Sequence, residues 1–96
     1  MPKEMIYVTF EVTVQEGYSD QRGIRRRAFQ RGARMEAVPR KGETVETAWG
    51  HGNVSWIDWD PWTSAAEPVF IRLEDTFTGA EGFETVVKAF TDTGWE

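Results

Sequence analysis

The sequence predicts a single α+β domain: a strongly bent antiparallel sheet or small β-barrel of about five to six strands, with one C-terminal α-helix. Three observations predict this fold class. One early segment alternates apolar and polar residues, several short β-type segments are separated by glycine and proline turns, and the one segment with a helical apolar stripe comes last. A chain of 96 residues is long enough for one core. The domain therefore spans 1–96, with strands within 5–75 and the helix at about 79–93.

Residues 5–15 form the first predicted strand. Successive side chains of a strand point to opposite faces of the sheet. One set of side chains in this segment is mostly polar, and the other is entirely apolar, consisting of Ile6, Val8, Phe10, Val12 and Val14. We therefore expect one face of this strand to be buried, with residues 16–20 forming a turn after it.

Residues 23–31 predict a second, solvated strand that runs antiparallel to the first. Alternation places one group of side chains together on one face: Arg25, Arg27, Phe29 and Arg31. We expect the arginines to lie opposite Glu11 and Glu16 or to project into solvent. Cross-strand pairs of opposite charge contribute from a few tenths to ~1 kcal/mol each.

Four further short strands follow, each bounded by turn residues. They are predicted at 32–38, 43–49, 54–59 and 68–75. Proline pre-sets the backbone for the turn at 39–42, and glycines flank the connection at 50–53.

The C-terminal segment predicts the helix. Thr78 and Glu81 stand in the S/T-x-x-E arrangement, in which each side chain bonds a free backbone N–H of the other residue. An apolar stripe with helical spacing follows, formed by Phe83, Val86, Val87 and Phe90. Gly94 is placed to end the helix, so that Trp95 folds back onto the last turn.

The turn Pro39-Arg40-Lys41-Gly42-Glu43 and the segment from Val54 to Trp59 carry a resemblance. Together with the long first strand, they resemble short phage and bacterial proteins with a P-x-x-G-E turn and an SH3-like small-barrel fold. The resemblance implies a small barrel that is phage- or mobile-element-encoded. It implies no catalytic or binding residue.

Composition excludes several classes of protein. The chain has no cysteine, which excludes disulfides, thiolate metal sites and cysteine nucleophiles. Its first residues do not resemble a signal peptide, and no apolar run approaches the roughly 20 residues of a membrane span. We therefore expect a cytoplasmic protein without membrane contact.

Charge is unevenly distributed along the chain, whose formal net charge is −5. Basic residues concentrate at 22–41, whereas the chain from Trp49 onward is mostly acidic. Two interpretations remain open. Either the two parts neutralise each other across the sheet, or the basic part forms a separate face that meets an anionic partner.

Candidate catalytic and metal-binding residues are few. His51 is the single histidine and lies between two glycines, which is typical of an exposed turn residue rather than a positioned base. Asp58 and Asp60 share a face on a strand, and Glu74 and Asp75 follow in the next strand. Such carboxylates can bind a divalent cation, but the segment has no D-x-D-x-D-G loop, and Asp60 before Pro61 is typical of a turn, which favours a turn and a solvated edge. We predict no catalytic residue, no metal and no cofactor, and hence a protein that is not an enzyme.

The tryptophan-rich segment at 52–62 is the strongest candidate for a functional surface. Strand alternation places Trp56 with Val54 and Asp58 on one face and Trp59 on the other, so both rings cannot enter one core without a bulge. Exposed aromatic rings beside carboxylates are typical of a binding site or an oligomer contact. Two interpretations stay open: the tryptophans serve core packing alone, or at least one of Trp59 and Trp62 lies at an interface.

The predicted interface residues are Trp59, Trp62, Asp58 and Asp60. The predicted function is a non-enzymatic protein-interaction domain, acting as a homo-oligomer (a homodimer first), an adaptor or an inhibitor.

The alternative hypothesis is a nucleic-acid-binding small barrel. It uses the second strand, through Arg25, Arg27, Phe29 and Arg31. Arginines neutralise phosphates and aromatic rings stack on bases. The net negative charge is opposite to the basic footprint usual for such domains.

Overall fold

A computed structural model of the protein describes residues 6–18, 25–58 and 69–96. Its elements, in chain order, are β1 (Ile6–Gln15), β2 (Arg26–Met35), β3 (Thr44–Glu46), β4 (His51–Asp58), β5 (Val69–Leu73), β6 (Thr76–Phe77), a 3₁₀ turn (Gly79–Glu81) and α1 (Phe83–Asp92). The strands form one strongly curled sheet, a half-barrel that carries the helix. The predicted fold class is therefore confirmed.

Strand β1 lies at the centre of the sheet. The strand order is β2-β1-β5-β4-β3, and β6 pairs with β1 just beyond β5. The β1–β2, β3–β4 and β4–β5 ladders are antiparallel, whereas β5 and β6 run parallel to β1. The sheet is thus mixed, and not antiparallel throughout as predicted. Residue patterns predicted the strands and their faces, but they contain no information on which distant strand would pair with β1.

Several strand boundaries differ from the prediction. Strand β2 continues through Gly32 to Met35, so the separate strand at 32–38 does not exist. The Tyr7 ring occupies the space that a Cβ at Gly32 would need, 2.6 Å from Tyr7 Cζ, which explains a glycine inside a strand. The predicted connection at 50–53 lies mostly within β4, and the chain turns at 47–50, where Thr47 N–H donates to the Gly50 carbonyl.

The predicted turn after β2 is confirmed. Arg40 N–H donates to the Glu43 carboxylate at 2.6 Å, and Glu43 N–H donates to the Arg40 carbonyl at 3.0 Å. Gly42 takes a φ of +91°, which disfavours any residue with a Cβ. The glycine and the glutamate therefore both have a role in turn geometry.

The core lies on the concave side of the sheet, which we call the inner face, between the strands and α1. Its buried apolar side chains are Val8, Phe10, Val12, Val14, Phe29, Val54, Val69, Ile71, Leu73, Val86, Phe90 and Trp95. The apolar set of β1 is buried as predicted. The β1–β2 register pairs Val12 with Phe29, which brings Phe29 to the same face. The ring of Phe29 then stacks on Phe90 of α1, with centroids 5.1 Å apart.

The start of the helix differs from the prediction. Thr78 makes no side-chain cap, because its hydroxyl accepts a hydrogen bond from Gly17 N–H at 3.1 Å. A single 3₁₀ turn follows, and α1 begins only at Phe83, after Gly82 with a φ of +89°. The S/T-x-x-E pattern therefore coincides with a contact to the β1 turn rather than with a capping box.

The end of the helix follows the prediction closely. Gly94 has a φ of +91°, Trp95 N–H donates to the Phe90 carbonyl, and Gly94 N–H donates to that of Thr91. These two bonds define a Schellman motif. Trp95 folds back and its ring meets Phe90 edge-on, 5.3 Å between centroids. Glu96 then exchanges two backbone hydrogen bonds with Gln30 of β2, at 2.8 and 2.9 Å.

The Phe90 ring joins the helix, β2 and the C-terminal turn, so its loss should affect all three. We expect Phe90→Ala to lower the free energy of unfolding by about 3–5 kcal/mol, measured by urea denaturation, because the cavity also removes the stack on Phe29. The control is Thr85→Ala, an exposed position on the same helix, which should change it by less than about 0.5 kcal/mol. A loss below about 1 kcal/mol for Phe90→Ala would show that the stack does not hold α1 on the sheet.

Candidate functional site

The convex side of the sheet, which we call the outer face, carries the candidate site. Strand β1 contributes its polar set to this face, including Thr9 and Glu11. The register continues these positions across the sheet, because Thr9 pairs with Phe70 and Glu11 with Arg72. On β4, Asp58 then pairs with Phe70, and Trp56 pairs with Arg72.

A β-bulge in β4 decides the direction of Trp56. Val54 pairs with Leu73, and Trp56 pairs with Arg72, so Ser55 is an extra residue between two adjacent positions of β5. Its hydroxyl donates to the Arg72 carbonyl at 3.0 Å. As a result Val54 is buried, whereas the Trp56 residue is 62% exposed on the outer face. The prediction that Trp56 shares a face with Val54 is therefore wrong. The prediction that Trp56 shares a face with Asp58 is correct.

Polar contacts fix the base of this surface. Gln30 Nε2 donates to Glu11 at 3.0 Å, and Arg72 Nε lies 3.4 Å from the other Glu11 oxygen. The Glu11 side chain is 19% exposed, while that of Arg72 is 60% exposed. Such an ion pair contributes at most about 1 kcal/mol because water screens the arginine. Its main effect is to hold Arg72 across the sheet beside Trp56.

We define the outer-face patch by its five residues: Glu11, Trp56, Asp58, Phe70 and Arg72. It combines an exposed indole, a half-buried phenyl ring, one guanidinium and two carboxylates. This set can bind a protein surface through apolar contact and charge pairing.

Of the four predicted interface residues, one lies within the described residues. Asp58 is exposed at the end of β4, inside the patch. Trp59, Asp60 and Trp62 lie outside the described residues. Sequence reasoning missed Trp56, Phe70 and Arg72 as partners in one surface. The alternation of β5 placed Phe70 on the other face from its apolar neighbours, but the bulge and the parallel register leave no pattern in the sequence.

The nucleic-acid candidates are placed very differently from one another. Phe29 is fully buried beneath Arg27, whose guanidinium carbon lies 4.6 Å from the ring centroid, so no base can stack on it. Arg25 pairs with Glu16 at 2.6 Å and lies over the Phe83 ring at 5.0 Å. Arg31 donates to the Thr93 carbonyl at 2.9 Å. The alternative hypothesis thus keeps its arginines and loses its stacking residue.

The two oppositely charged parts of the chain hardly neutralise each other in the described ranges. In those ranges one ion pair links the basic stretch at 22–41 to the acidic half, Arg25 with Glu84 at 3.5 Å. The pair of Arg72 with Glu11, at 3.4 Å, lies outside the basic stretch. Within the described residues, neutralisation of the basic stretch by the acidic half thus rests on a single exposed pair.

The acidic residues form no metal site in the described part of the chain, where no group of three or more potential ligands comes together. Asp58 is opposite Phe70, four residues before Glu74, which is about 13 Å along a strand. Glu74 instead accepts a hydrogen bond from Asn53 at 3.2 Å, and Asp75 accepts one from Gln15. His51 is exposed, as predicted.

One perturbed group lies on the helix, away from the patch. The pKa of Lys88 is raised by its hydrogen bond to Asp92, 2.8 Å long, and by the charge of that carboxylate. This is a solvated pair one helical turn apart, which stabilises a helix slightly and has no catalytic geometry.

Comparison of the chain with protein-family models, with curated proteins and with solved structures found no match. The SH3-like resemblance therefore stays a prediction. In the ranges that the structure describes, no helix is long and apolar enough to cross a membrane.

The bulge gives a sharp test of how Trp56 is held. Deleting Ser55 leaves both flanking pairs, Val54–Leu73 and Trp56–Arg72, in register and restores simple alternation. We expect this deletion to fold and to cost about 1–2 kcal/mol, from the lost hydrogen bond and twist. Its matched control is deletion of Asn53, another polar residue of β4, which should cost more than about 3 kcal/mol because it breaks alternation upstream.

Both deletions are measured by urea denaturation. Equal losses of stability from the two deletions would show that Ser55 is an ordinary strand residue and not an insertion.

Proposed function

We propose that the protein is a non-enzymatic protein-interaction domain that forms a homodimer through the outer-face patch. The observation that carries the proposal is Trp56, a large ring that follows the β-bulge and is 62% exposed on the outer face. The chain's lack of cysteine and its single histidine, exposed at the start of β4, support the non-enzymatic part.

Covering Trp56 supplies a substantial driving force. A tryptophan presents about 250 Å² of surface, so covering the exposed fraction removes about 150 Å² from water. At about 25 cal/mol per Å² this is about 4 kcal/mol per copy, before the costs of association. Phe70 is half-buried beside it and extends the apolar area. The exposed ring thus has the size and character of a residue that dominates an interface.

The charges of the patch favour a second copy as the partner. A twofold interface brings the same surface of two chains together, so the surface must complement itself. Arg72 and Asp58 lie on neighbouring rows of the same face, with the aromatic rings between them. In a twofold arrangement Arg72 of one chain meets Asp58 of the other, and both pairs form at once. A patch with one sign of charge would not have this property.

Sedimentation equilibrium at about 1–100 µM tests the dimer. We expect the wild-type chain to dimerise in this range and Trp56→Ala to weaken the dimer at least thirty-fold, since two buried rings are lost. Tyr18→Ala is the matched control: Tyr18 is 54% exposed, lies outside the patch, and should leave the dimer unchanged. Circular dichroism checks that each variant is folded.

Two results would contradict the proposal. A wild-type monomer at 100 µM would exclude a homodimer. A dimer that tolerates Trp56→Ala as well as Tyr18→Ala would exclude the outer-face patch as its interface.

A further inference from the structure

The outer edge of β2 is a second surface, independent of the outer-face patch. Strand β2 is ten residues long, and one edge pairs with β1. The backbone groups of Gln30 point away from β1, because they bond Glu96. In an antiparallel pair such outward positions recur every second residue, so the N–H and C=O groups of Ala28 and Gly32 point the same way. Within the described part of the chain these groups have no backbone partner.

The C-terminal residue shows how this edge is occupied. Glu96 both donates to and accepts from Gln30, which is the reciprocal bonding of an antiparallel bridge. A nearby contact secures the same region, because Arg31 donates to the Thr93 carbonyl at 2.9 Å. One acidic residue therefore already adds to β2 in strand geometry, and it covers only one of the outward positions.

Charge determines which kind of strand fits. Strand β2 carries four arginines and no acidic residue: Arg26, Arg27, Arg31 and Arg34. Alternation places two of them on each face. None forms an ion pair with a carboxylate of the described chain, in which Glu16 and Glu84 pair with Arg25 and Glu11 pairs with Arg72. An incoming strand with carboxylates on both faces meets an arginine on either side, whereas a second β2 would set arginine against arginine.

We propose that the outer edge of β2 binds an acidic, extended peptide segment of a partner protein by strand addition, displacing Glu96 from Gln30. The free donors and acceptors of the edge favour a polypeptide over a nucleic acid. A phosphodiester chain has no N–H groups to complete the ladder, and the one aromatic ring of β2, Phe29, is buried. Recognition therefore combines backbone hydrogen bonds with arginine–carboxylate pairs.

The test uses the full chain and a fluorescein-labelled peptide of two Glu-Glu-Thr-Thr repeats, which in an extended strand places two carboxylates on each face. Binding is measured by fluorescence anisotropy. We expect saturable binding that weakens with salt. The double variant Arg26→Gln/Arg34→Gln should weaken it about tenfold, as expected for two partly exposed pairs. Arg40→Gln/Lys41→Gln, with the same charge change in the turn at 39–42, should weaken it less than twofold. Removal of Glu96 should strengthen it several-fold, because the competing bridge is gone.

A second peptide separates strand addition from simple charge attraction. The same sequence with alternate backbone nitrogens methylated keeps every carboxylate and loses half of its N–H donors, so it should bind at least tenfold more weakly. Equal binding of the two peptides would overturn the proposal, as would no binding of the first at 1 mM. Binding of an oligothymidine in place of the peptide would assign the edge to nucleic acid instead. The dimer is a separate property, and Arg26→Gln/Arg34→Gln should leave it intact.

Discussion

The stack of Phe90 on Phe29 is the contact on which the rest of the structure depends. It fixes α1 on the inner face of the sheet. The side chains of β1 and β2 therefore alternate between the side that faces α1 and the side that faces solvent. Trp95 closes the cluster from the other side through its edge contact with Phe90. The same cluster brings the chain end to β2, where Glu96 bridges Gln30. Helix, edge strand and C-terminal turn are thus held by three aromatic rings.

With the inner face filled by the core, strand β4 determines which large side chain lies on the outer face. Regular alternation would have sent Trp56 to the same side as Val54, into a core that β1 and β5 already fill with valine, isoleucine and leucine. The extra residue Ser55 avoids this by shifting the alternation of side chains by one residue, so that Val54 points to the inner face and Trp56 to the outer face. The bulge therefore has two consequences: it keeps a large ring out of a core with no space for it, and it places that ring beside Arg72. Bulges often re-aim a side chain in this way.

The sequence predicted those features that depend on local patterns. The buried set of β1, the apolar stripe of α1 and the Gly94–Trp95 turn follow from periodicity and from the freedom of glycine to take a positive φ. The capping box failed because Thr78 has a competing donor, Gly17, that is 61 residues away in sequence. The sequence predicts a strand boundary at Gly32, because the contact that requires a glycine there comes from Tyr7 on another strand and leaves no local pattern.

The candidate site was less predictable than the fold for the same reason. Asp58 was identified from its own segment, but its neighbours on the surface come from β1 and β5 through a parallel register. Nothing local distinguishes Arg72 or Phe70 from other strand residues. The residues of a surface that is formed by three strands can be identified only when the strand pairing is known. A single bulge changes which residues belong to that surface.

The two surfaces constrain each other through charge. An edge strand ten residues long invites pairing with a second copy of itself, and proteins commonly prevent this with charged side chains. Four arginines on β2 do so here, because like charges directly opposite each other are destabilising. The homodimer that we propose accordingly uses the outer face, where Arg72 and Asp58 supply both signs. In the proposal for the edge, the same arginines that disfavour a second β2 favour an acidic strand, so one feature would both oppose edge-to-edge aggregation and select the partner.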